Sequence, residues 1–259
     1  VLAAAAVAIL FVFLRQQRRA PEPMMHFELW SDPIIWRGNL AVLFAGMAMI
    51  GLITFLPTFV QGVLGGSALV AGFALSAMSL GWPLASVFAG RNLVRLGVPK
   101  LVRSGGISVT TGALIVALFA AHGPVHAAAG TFLMGIGFGL LNTTYIVAIQ
   151  TSVSWAQRGV ATATNMLMRN LGNAVGAALL GGVLNVRLAR YIEARGLGDT
   201  ISLESVRELI ERGAGEGRAA GSAAMEVLQG GLSASLLLIF AIVVVFALGI
   251  LVLSWPVPE

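Results

Sequence analysis

The sequence from Gly38 to Gly90 reads GNLAVLFAGMAMIGLITFLPTFVQGVLGGSALVAGFALSAMSLGWPLASVFAG, which is 53 residues without Asp, Glu, Lys or Arg. A second run of this kind covers residues 104–157. A transmembrane helix needs about 20 apolar residues, so each run is long enough for two membrane crossings joined by a tight turn. The 259-residue chain is 58% hydrophobic and 10% charged, whereas a soluble domain has about 25% charged residues. The sequence therefore predicts an all-α polytopic membrane protein.

Charges and turn residues divide the sequence into seven apolar segments. Residues 1–14 are too short for a full crossing, and we expect them to be the end of a truncated transmembrane linker helix, followed by a cytoplasmic loop at 15–35. The other runs predict helices, because a membrane β-barrel would show alternating segments of about 10 residues. We therefore predict six transmembrane helices and an extracytoplasmic loop before the last one, with the helices at about 36–60, 68–90, 104–121, 125–150, 159–186 and 231–255 and the loop at 187–230.

Basic residues lie in alternate connections between these segments. Cytoplasmic loops of membrane proteins are enriched in Lys and Arg, so the alternation assigns these connections to the cytoplasmic side. We expect a multi-pass protein of the inner (cytoplasmic) cell membrane. The turns at 61–67 and 122–124 carry no Lys or Arg and are assigned to the outside. The inside set consists of Arg15, Arg18, Arg19, Arg37, Arg91, Arg95, Lys100, Arg103 and Arg158.

The loop at 187–230 is the exception to this alternation. It carries six Arg and seven acidic residues. Because it is long and nearly balanced in charge, it has little weight in the orientation, although three of its Arg lie close to the membrane. Residues 201–210 have apolar side chains at helical spacing, which predicts either an amphipathic helix on the outer membrane face or a solvated helix.

The sequence lacks the residue patterns that enzymatic and nucleotide-binding functions require. The only Lys, Lys100, follows Pro99 and not a glycine-rich phosphate loop, and Leu140 interrupts the dinucleotide motif after the glycines of 135–139. The net charge of +5 is spread over short loops, which argues against a nucleic-acid partner. We therefore predict that the protein is not an enzyme and has no catalytic residues and no cofactor.

Metal ligands and proton-relay carboxylates are also scarce. The chain has no Cys, and no Asp or Glu occurs from Pro33 to Ile192. His122 and His126 are four residues apart, but Gly123-Pro124 interrupts the helix that would align them. We therefore predict no metal site, and the spans contain no carboxylate relay of their own.

Arg169 is the most informative polar residue, since it lies ten positions beyond Gly159 and therefore about 15 Å along a regular helix. An Arg at the centre of a membrane helix costs about 2.5–3.5 kcal/mol, which implies a polar cavity or a partner. Two interpretations stay open: Arg169 binds an anionic substrate group or influences a carboxylate elsewhere, or it is an interhelical hydrogen-bond donor. The candidate cavity residues are Arg169, Asn165, Asn142, Gln61, Asn173, Tyr145 and Gln150, of which Asn165 and Asn173 fit packing hydrogen bonds better.

Small residues indicate where helices approach closely. Gly135 and Gly139 form a pair four residues apart, which predicts a close helix contact. In the segment 68–90, Pro83 is expected to kink the helix. A stripe at spacings of three and four predicts a second close-packed face there, formed by Gly72, Ser76, Ser79, Pro83, Ser86 and Gly90.

Several stretches resemble one family of membrane transporters. They are Pro21-Glu22-Pro23-Met24, residues 56–67 with Ala71-Gly72, residues 157–161, and residues 169–176. The sequence resembles the fourteen-span drug:proton antiporters of the major facilitator superfamily, the EmrB/QacA type, from the end of span eight to span fourteen. The loop from Gly90 to Lys100 is similar to the cytoplasmic signature of that superfamily: Gly90, Arg95 and Gly97 fit, whereas Val94 replaces the Asp.

The resemblance implies a C-terminal six-helix bundle preceded by the end of a linker helix. It also implies efflux of small amphipathic toxic compounds by alternating access in exchange for protons, with the proton gradient as energy source. The expected partners are the lipid bilayer, the substrate and a missing N-terminal half that holds the coupling carboxylates. Two alternatives remain: a transporter of a metabolite or siderophore-like anion, and a membrane subunit that does not transport.

Overall fold

The chain forms five long helices in a computed structural model that describes Val12, Arg15, Gln16, residues 30–194 and residues 222–255, apart from the side chains of Ile192 and 222–228. Within these residues there is no strand, and the five helices are long and apolar enough to cross a membrane. The predicted all-α membrane fold is confirmed. Most of the predicted linker-helix end at 1–14, most of the loop at 15–35 and the whole amphipathic stretch 201–210 lie outside the described residues. The helices are α1 (Pro33–Gly62), α2 (Ala68–Phe119), α3 (Pro124–Ser152), α4 (Arg158–Ala194) and α5 (Ser222–Ser254).

Helix α2 contains two membrane crossings that run in opposite directions. In its first arm, residues 68–96, the carbonyl of Ala74 accepts a hydrogen bond from Thr131, and Ser86 donates to the carbonyl of Gly139, so this arm runs parallel to α3. In the second arm, residues 98–119, Ser108 donates to the carbonyl of Leu133, while Gly105 lies against Leu141. The second arm is therefore antiparallel to α3.

The reversal between the two arms takes place at Gly97. This residue has φ 77° and ψ 161°, a backbone conformation that is essentially restricted to glycine. The chain is helical on both sides of it. The connection at residues 91–103 is therefore far shorter than the sequence predicted, because both helices continue to this single residue.

We expect Gly97→Ala to lower the free energy of unfolding by about 1–3 kcal/mol, because a side chain at this φ and ψ is strained. Gly90→Ala is the matched control, since Gly90 is helical and an added Cβ would meet no atom within 4 Å. Ala is the better helix former by about 1 kcal/mol, so the control is expected to be neutral or stabilising. Unfolding of the purified protein in detergent measures both variants, and equal effects would contradict the assigned reversal.

Helix α1 packs against both α4 and α5. It begins after Asp32, whose carboxylate accepts a hydrogen bond of 2.7 Å from the backbone N–H of Ile34, and Pro33 occupies the first turn, where no backbone donor is required. It runs parallel to α4, since Asn39 contacts Asn165 and Gly51 lies against Leu180. It runs antiparallel to α5, where the rings of Phe59 and Phe240 meet edge to face at 5.4 Å and those of Phe44 and Phe246 lie 6.2 Å apart.

Helix α5 closes the bundle against the second arm of α2. Thr110 donates to the carbonyl of Ala247 at 3.1 Å, and Gly106 packs against Leu251. The helix begins at Ser222, whereas the sequence placed its start near residue 231, and α4 continues to Ala194 beyond its expected end at 186. The predicted loop at 187–230 is therefore shorter at both ends, because charged residues at the membrane boundary are compatible with continued helix.

The expected close contact at Gly135 and Gly139 is confirmed. A Cβ on either glycine would collide with a backbone carbonyl of the first arm of α2, that of Met78 or that of Trp82. The prediction that the small-residue stripe on the first arm of α2 forms a close-packed face is wrong. Of its six members only Ser86 contacts α3, and the other five are exposed. The arm instead buries a neighbouring face of mostly small, apolar residues, formed by Ala71, Ala74, Met78, Gly81, Ala85 and Ala89.

Candidate functional site

Arg169 and Asn142 meet in the middle of the bundle. One terminal nitrogen of the Arg169 guanidinium donates a hydrogen bond of 3.2 Å to the side-chain oxygen of Asn142. Both residues are half-buried and line a cavity of about 20 Å³ between α1, α3, α4 and the first arm of α2. This volume accommodates about one water molecule. The rest of the lining consists of Ala41, Val42, Ala45, Gly46, Met49, Trp82, Phe138 and Leu141.

Glycines fix the position of Arg169 against α1. A Cβ on Gly46 would collide with the backbone carbonyl of Arg169, and a Cβ on Gly172 would collide with that of Leu43. Gly176 lies one turn further along α4, where a Cβ would come within 2.7 Å of the Cα of Met47. The two backbones therefore touch along α1 and α4, and this contact places the guanidinium at the cavity.

Asn173 lies one helical turn beyond Arg169, next to Gly46. Its side-chain oxygen is buried and has no hydrogen-bond partner within the part of the chain that the structure describes. An unsatisfied buried acceptor costs about 1–3 kcal/mol. Asn173 is not among the residues that line the cavity, and its side-chain oxygen lies in the contact between α1 and α4.

Asn165 does not line the cavity. Its amide nitrogen donates a hydrogen bond of 3.0 Å to the side-chain oxygen of Asn39, and the two residues are 2% and 1% exposed. Asn39 is a partner that the sequence analysis missed, because its position near the start of α1 gave no signal of depth. The pair is a polar contact between α1 and α4.

We expect Asn39→Ala and Asn165→Ala each to destabilise the protein by about 1–3 kcal/mol, since either leaves a buried amide without its partner. In a double-mutant cycle the two effects should not add, with an interaction energy of about 0.5–2 kcal/mol, as for polar pairs between membrane helices. Denaturation of the four proteins in mixed micelles gives the cycle. Strictly additive effects would mean that the two amides do not interact.

Three other candidates lie apart from Arg169. The hydroxyl of Tyr145 is 3.2 Å from that of Ser254, and both residues are fully buried. Gln150 donates to the hydroxyl of Thr162 at 3.0 Å, and Gln61 donates to the carbonyl of Pro57 in its own helix. The structure thus joins Arg169 and Asn142, places Asn173 in the contact between α1 and α4, and gives the remaining candidates separate local partners.

The signature-like loop lies at one end of the bundle. Gly90 and Arg95 are exposed on the first arm of α2, and Gly97 forms the reversal described above. Of these three residues, Gly97 is the one whose backbone conformation requires glycine.

His122 and His126 lie closer together than the sequence suggested. Their ring centroids are 6.1 Å apart, because the short turn at Ala120–His122 and the positive φ of Gly123 bring His122 back towards α3. The ring of Phe119 lies beside both. The described residues contain no group of three or more His, Cys, Asp or Glu side chains that could hold a metal ion.

Aromatic residues of the cavity were missed by the sequence analysis. Trp82 and Phe138 line it with their ring centroids 5.9 Å apart. An apolar residue in a membrane helix has no feature that separates a cavity wall from a lipid contact, so the sequence carries no signal for them. The position of Gly139, whose Cβ would collide with the carbonyl of Trp82, is a signal of close packing alone.

The charge of Arg169 lies far from any acidic residue along the chain. The nearest ones in sequence are Asp32 and Glu193, outside the stretch from Pro33 to Ile192. Its hydrogen-bond partner Asn142 is neutral. A guanidinium with a neutral partner in a region of low dielectric attracts an anionic group strongly.

Known proteins resemble this chain in sequence and in fold. Multidrug transporter protein MdtP of Bacillus subtilis (strain 168) is 28% identical over 176 residues, which are 68% of this chain and 32% of that protein. Multidrug efflux pump LfrA of Mycolicibacterium smegmatis is 32% identical over 188 residues, which are 69% of this chain and 36% of the pump. The chain therefore spans about a third of the length of the curated relatives it matches.

The fold likeness extends over most of the chain. A bacterial homolog of the human lysosomal transporter Spinster, solved in an inward-facing and unoccupied conformation, superimposes with a TM-score of 0.61 at 19% identity, covering 89% of this chain and 50% of that one. Residues 1–177 match the sequence model of the Major Facilitator Superfamily. The chain belongs to the major facilitator superfamily.

Proposed function

We propose that this chain is the C-terminal half of a fourteen-span transporter of the EmrB/QacA type, which exports small amphipathic toxic compounds in exchange for protons. The observation that carries the proposal is the Arg169–Asn142 pair at an otherwise apolar cavity inside a bundle of this superfamily. Named multidrug transporters among the relatives support the substrate class. The chain acts as part of a multi-pass protein of the inner cell membrane, with the proton gradient as its energy source and without a cofactor.

The cavity at Arg169 is too small to hold a drug-sized substrate by itself. A volume of about 20 Å³ holds a water molecule, whereas sites for drug-sized ligands measure about 300–1,000 Å³. The Arg169 cavity is therefore one side of a larger site, and the N-terminal half supplies the opposite side. The site lies between two halves that rock against each other, as in transporters built from repeats.

The exposed surface of α4 supports this arrangement. Only 22% of the most apolar stretch in this helix is buried, the smallest share among the five spans. Asn170, the residue that follows Arg169 in sequence, is exposed on this surface. Polar side chains inside a membrane normally face protein or a water-filled cavity, so this face of α4 points towards the missing half.

The coupling carboxylates belong to that half as well. Proton relays in membranes run through buried acidic residues or His, and residues 33–192 contain no Asp or Glu. Arg169 then acts on protons only indirectly, by favouring the charged form of a carboxylate that approaches it.

Substrate-dependent proton movement tests the proposal. The assay uses vesicles that contain the full-length protein and carry an imposed proton gradient. We expect that a lipophilic cationic drug, when added, causes a proton flux opposite in direction to the movement of the drug. Vesicles with an unrelated membrane protein are the control. Transport that persists unchanged when the gradient is collapsed would contradict proton coupling, and absence of any drug-dependent flux would favour a subunit that does not transport.

One observation favours a second candidate, a transporter of a metabolite or siderophore-like anion. Arg169 has a neutral partner, so it is suited to bind an anionic group directly. Competition separates the two functions, because cationic and neutral drugs should inhibit the exporter, whereas organic anions should inhibit the alternative.

A further inference from the structure

A second cavity lies at the end of the bundle where the two arms of α2 meet. This groove measures about 470 Å³ and is much larger than the cavity at Arg169. Its lining includes three polar residues of the second arm and apolar residues of both arms. The residues that matter for its chemistry are Lys100, Arg103, Ser104, Phe88, Leu96 and Ile107.

Three Arg–Trp pairs place this end at the level of the lipid headgroups. Each has a guanidinium over an indole ring, at 5.1 Å for Arg37 and Trp36, 5.8 Å for Arg103 and Trp255, and 5.1 Å for Arg158 and Trp155. All three lie at the same end of the bundle, at the starts of α1, the second arm of α2 and α4 and at the end of α5. Trp and Arg are enriched at this depth on the cytoplasmic side.

The polar part of the groove is cationic. Lys100 is exposed, and the Arg103 guanidinium is held in place by a hydrogen bond of 3.0 Å from its Nε to the carbonyl of Trp255. This bond uses one of the five N–H donors of the guanidinium. Because residues 33–192 contain no Asp or Glu, no acidic residue of α2 or of its neighbour α3 offsets the two charges.

The remainder of the groove is apolar and open. Phe88 on the first arm is 51% exposed, and Ile107 on the second arm is 49% exposed. Phe88 and Ile107 are nine and ten residues from the reversal at Gly97, whereas Lys100 and Arg103 are three and six residues from it, so the two apolar side chains line the part of the groove nearer the membrane core. The groove therefore has a cationic mouth and an apolar floor.

We propose that this groove binds an anionic phospholipid, with the phosphate at Lys100 and Arg103 and an acyl chain along Phe88 and Ile107. A free anion would use only the mouth of the groove, and a neutral lipid only its floor. Basic pockets between transmembrane helices at the cytoplasmic side match the chemistry of acidic lipid headgroups. The bound lipid contacts both arms and thereby stabilises the reversal at Gly97. The proposal does not depend on the transported substrate.

Lipid retention and thermal stability test the proposal on the purified protein. We expect phosphatidylglycerol to be retained in native mass spectra and to raise the unfolding temperature, whereas phosphatidylcholine does neither. In Lys100→Gln/Arg103→Gln, phosphatidylglycerol affinity should fall about 25-fold, since each basic residue near a membrane surface contributes about a five-fold factor. Arg91→Gln/Arg95→Gln is the matched control, because it removes the same charge from outside the groove.

The outcomes separate a lipid site from its alternatives. Equal loss of affinity in both double variants would overturn the proposal in favour of diffuse surface charge. Stabilisation by inorganic phosphate or glycerophosphoglycerol as large as that by the lipid would overturn it in favour of a free-anion site. If the Arg103 substitution prevents folding, Lys100→Gln alone should show the five-fold loss, and unchanged affinity in that variant would also overturn the proposal.

Discussion

Arg169→Gln is expected to lower drug export by the full-length transporter about 10- to 100-fold while the amount of protein in the membrane stays unchanged. Hydrogen bonds to charged groups contribute about 1.5–3 kcal/mol, and each 1.4 kcal/mol corresponds to a factor of ten. Gln keeps an amide donor for Asn142, so the packing of α4 should survive. Efflux of a fluorescent cationic dye from loaded cells measures the rate.

The control for this variant is Arg91→Gln, which removes a charge from an exposed position at the end of the first arm of α2. We expect its export rate to match that of the unchanged protein. Arg169→Lys should retain part of the activity, since the charge remains but the planar fork of donors is lost. Full export by Arg169→Gln would show that the guanidinium only packs α4 against α3.

Gly172→Leu is expected to abolish accumulation of folded protein. Even a Cβ at this position collides with the carbonyl of Leu43, and backbone atoms cannot move aside as the end of a flexible side chain can. Overpacking of well-packed interiors costs about 1–3 kcal/mol, and a clash between two helix backbones lies at or above the upper end of that range. Protein level in membranes and elution as a single species in detergent report the effect.

Gly181→Leu provides a matched comparison in the same helix, since a Cβ there meets no atom within 4 Å. This variant should accumulate normally, because Leu is also the better helix former. If both variants accumulated equally, α1 and α4 would not approach each other as closely as Gly46, Gly172 and Gly176 indicate.

The fold was predictable from the sequence because the membrane restricts the choice of structure. Uncharged runs of this length leave helices as the only reasonable solution, and the positions of α1 and α3 followed from them. The connection at residues 91–103 was not predictable, since its four basic residues resemble a loop although they lie on helices that end at the headgroups. Basic side chains can extend to the membrane surface from within a helix, so charge alone does not mark a helix end.

Arg169 and Asn142 were both predicted from the sequence as cavity residues, but their contact with each other was not. Arg169 is conspicuous at any register, because a charge in the middle of a membrane helix requires a polar environment. Its pairing with Asn142, by contrast, depends on how α3 and α4 are rotated against each other. The position of Trp82 in the cavity also depends on contact between helices, because the backbone of Trp82 packs against Gly139 of α3. No pattern within a single helix predicts such a contact.

Accessibility of residue 142 tests the central claim, that the Arg169 cavity lies on the transport path. This chain contains no Cys, so Asn142→Cys introduces a single thiol in it, and any Cys elsewhere in the full-length protein can be replaced beforehand. We predict that a membrane-impermeant thiol reagent modifies residue 142 in intact and in inverted vesicles, and that a transported drug slows both reactions. A thiol that reacts from neither side, with or without drug, would contradict the account.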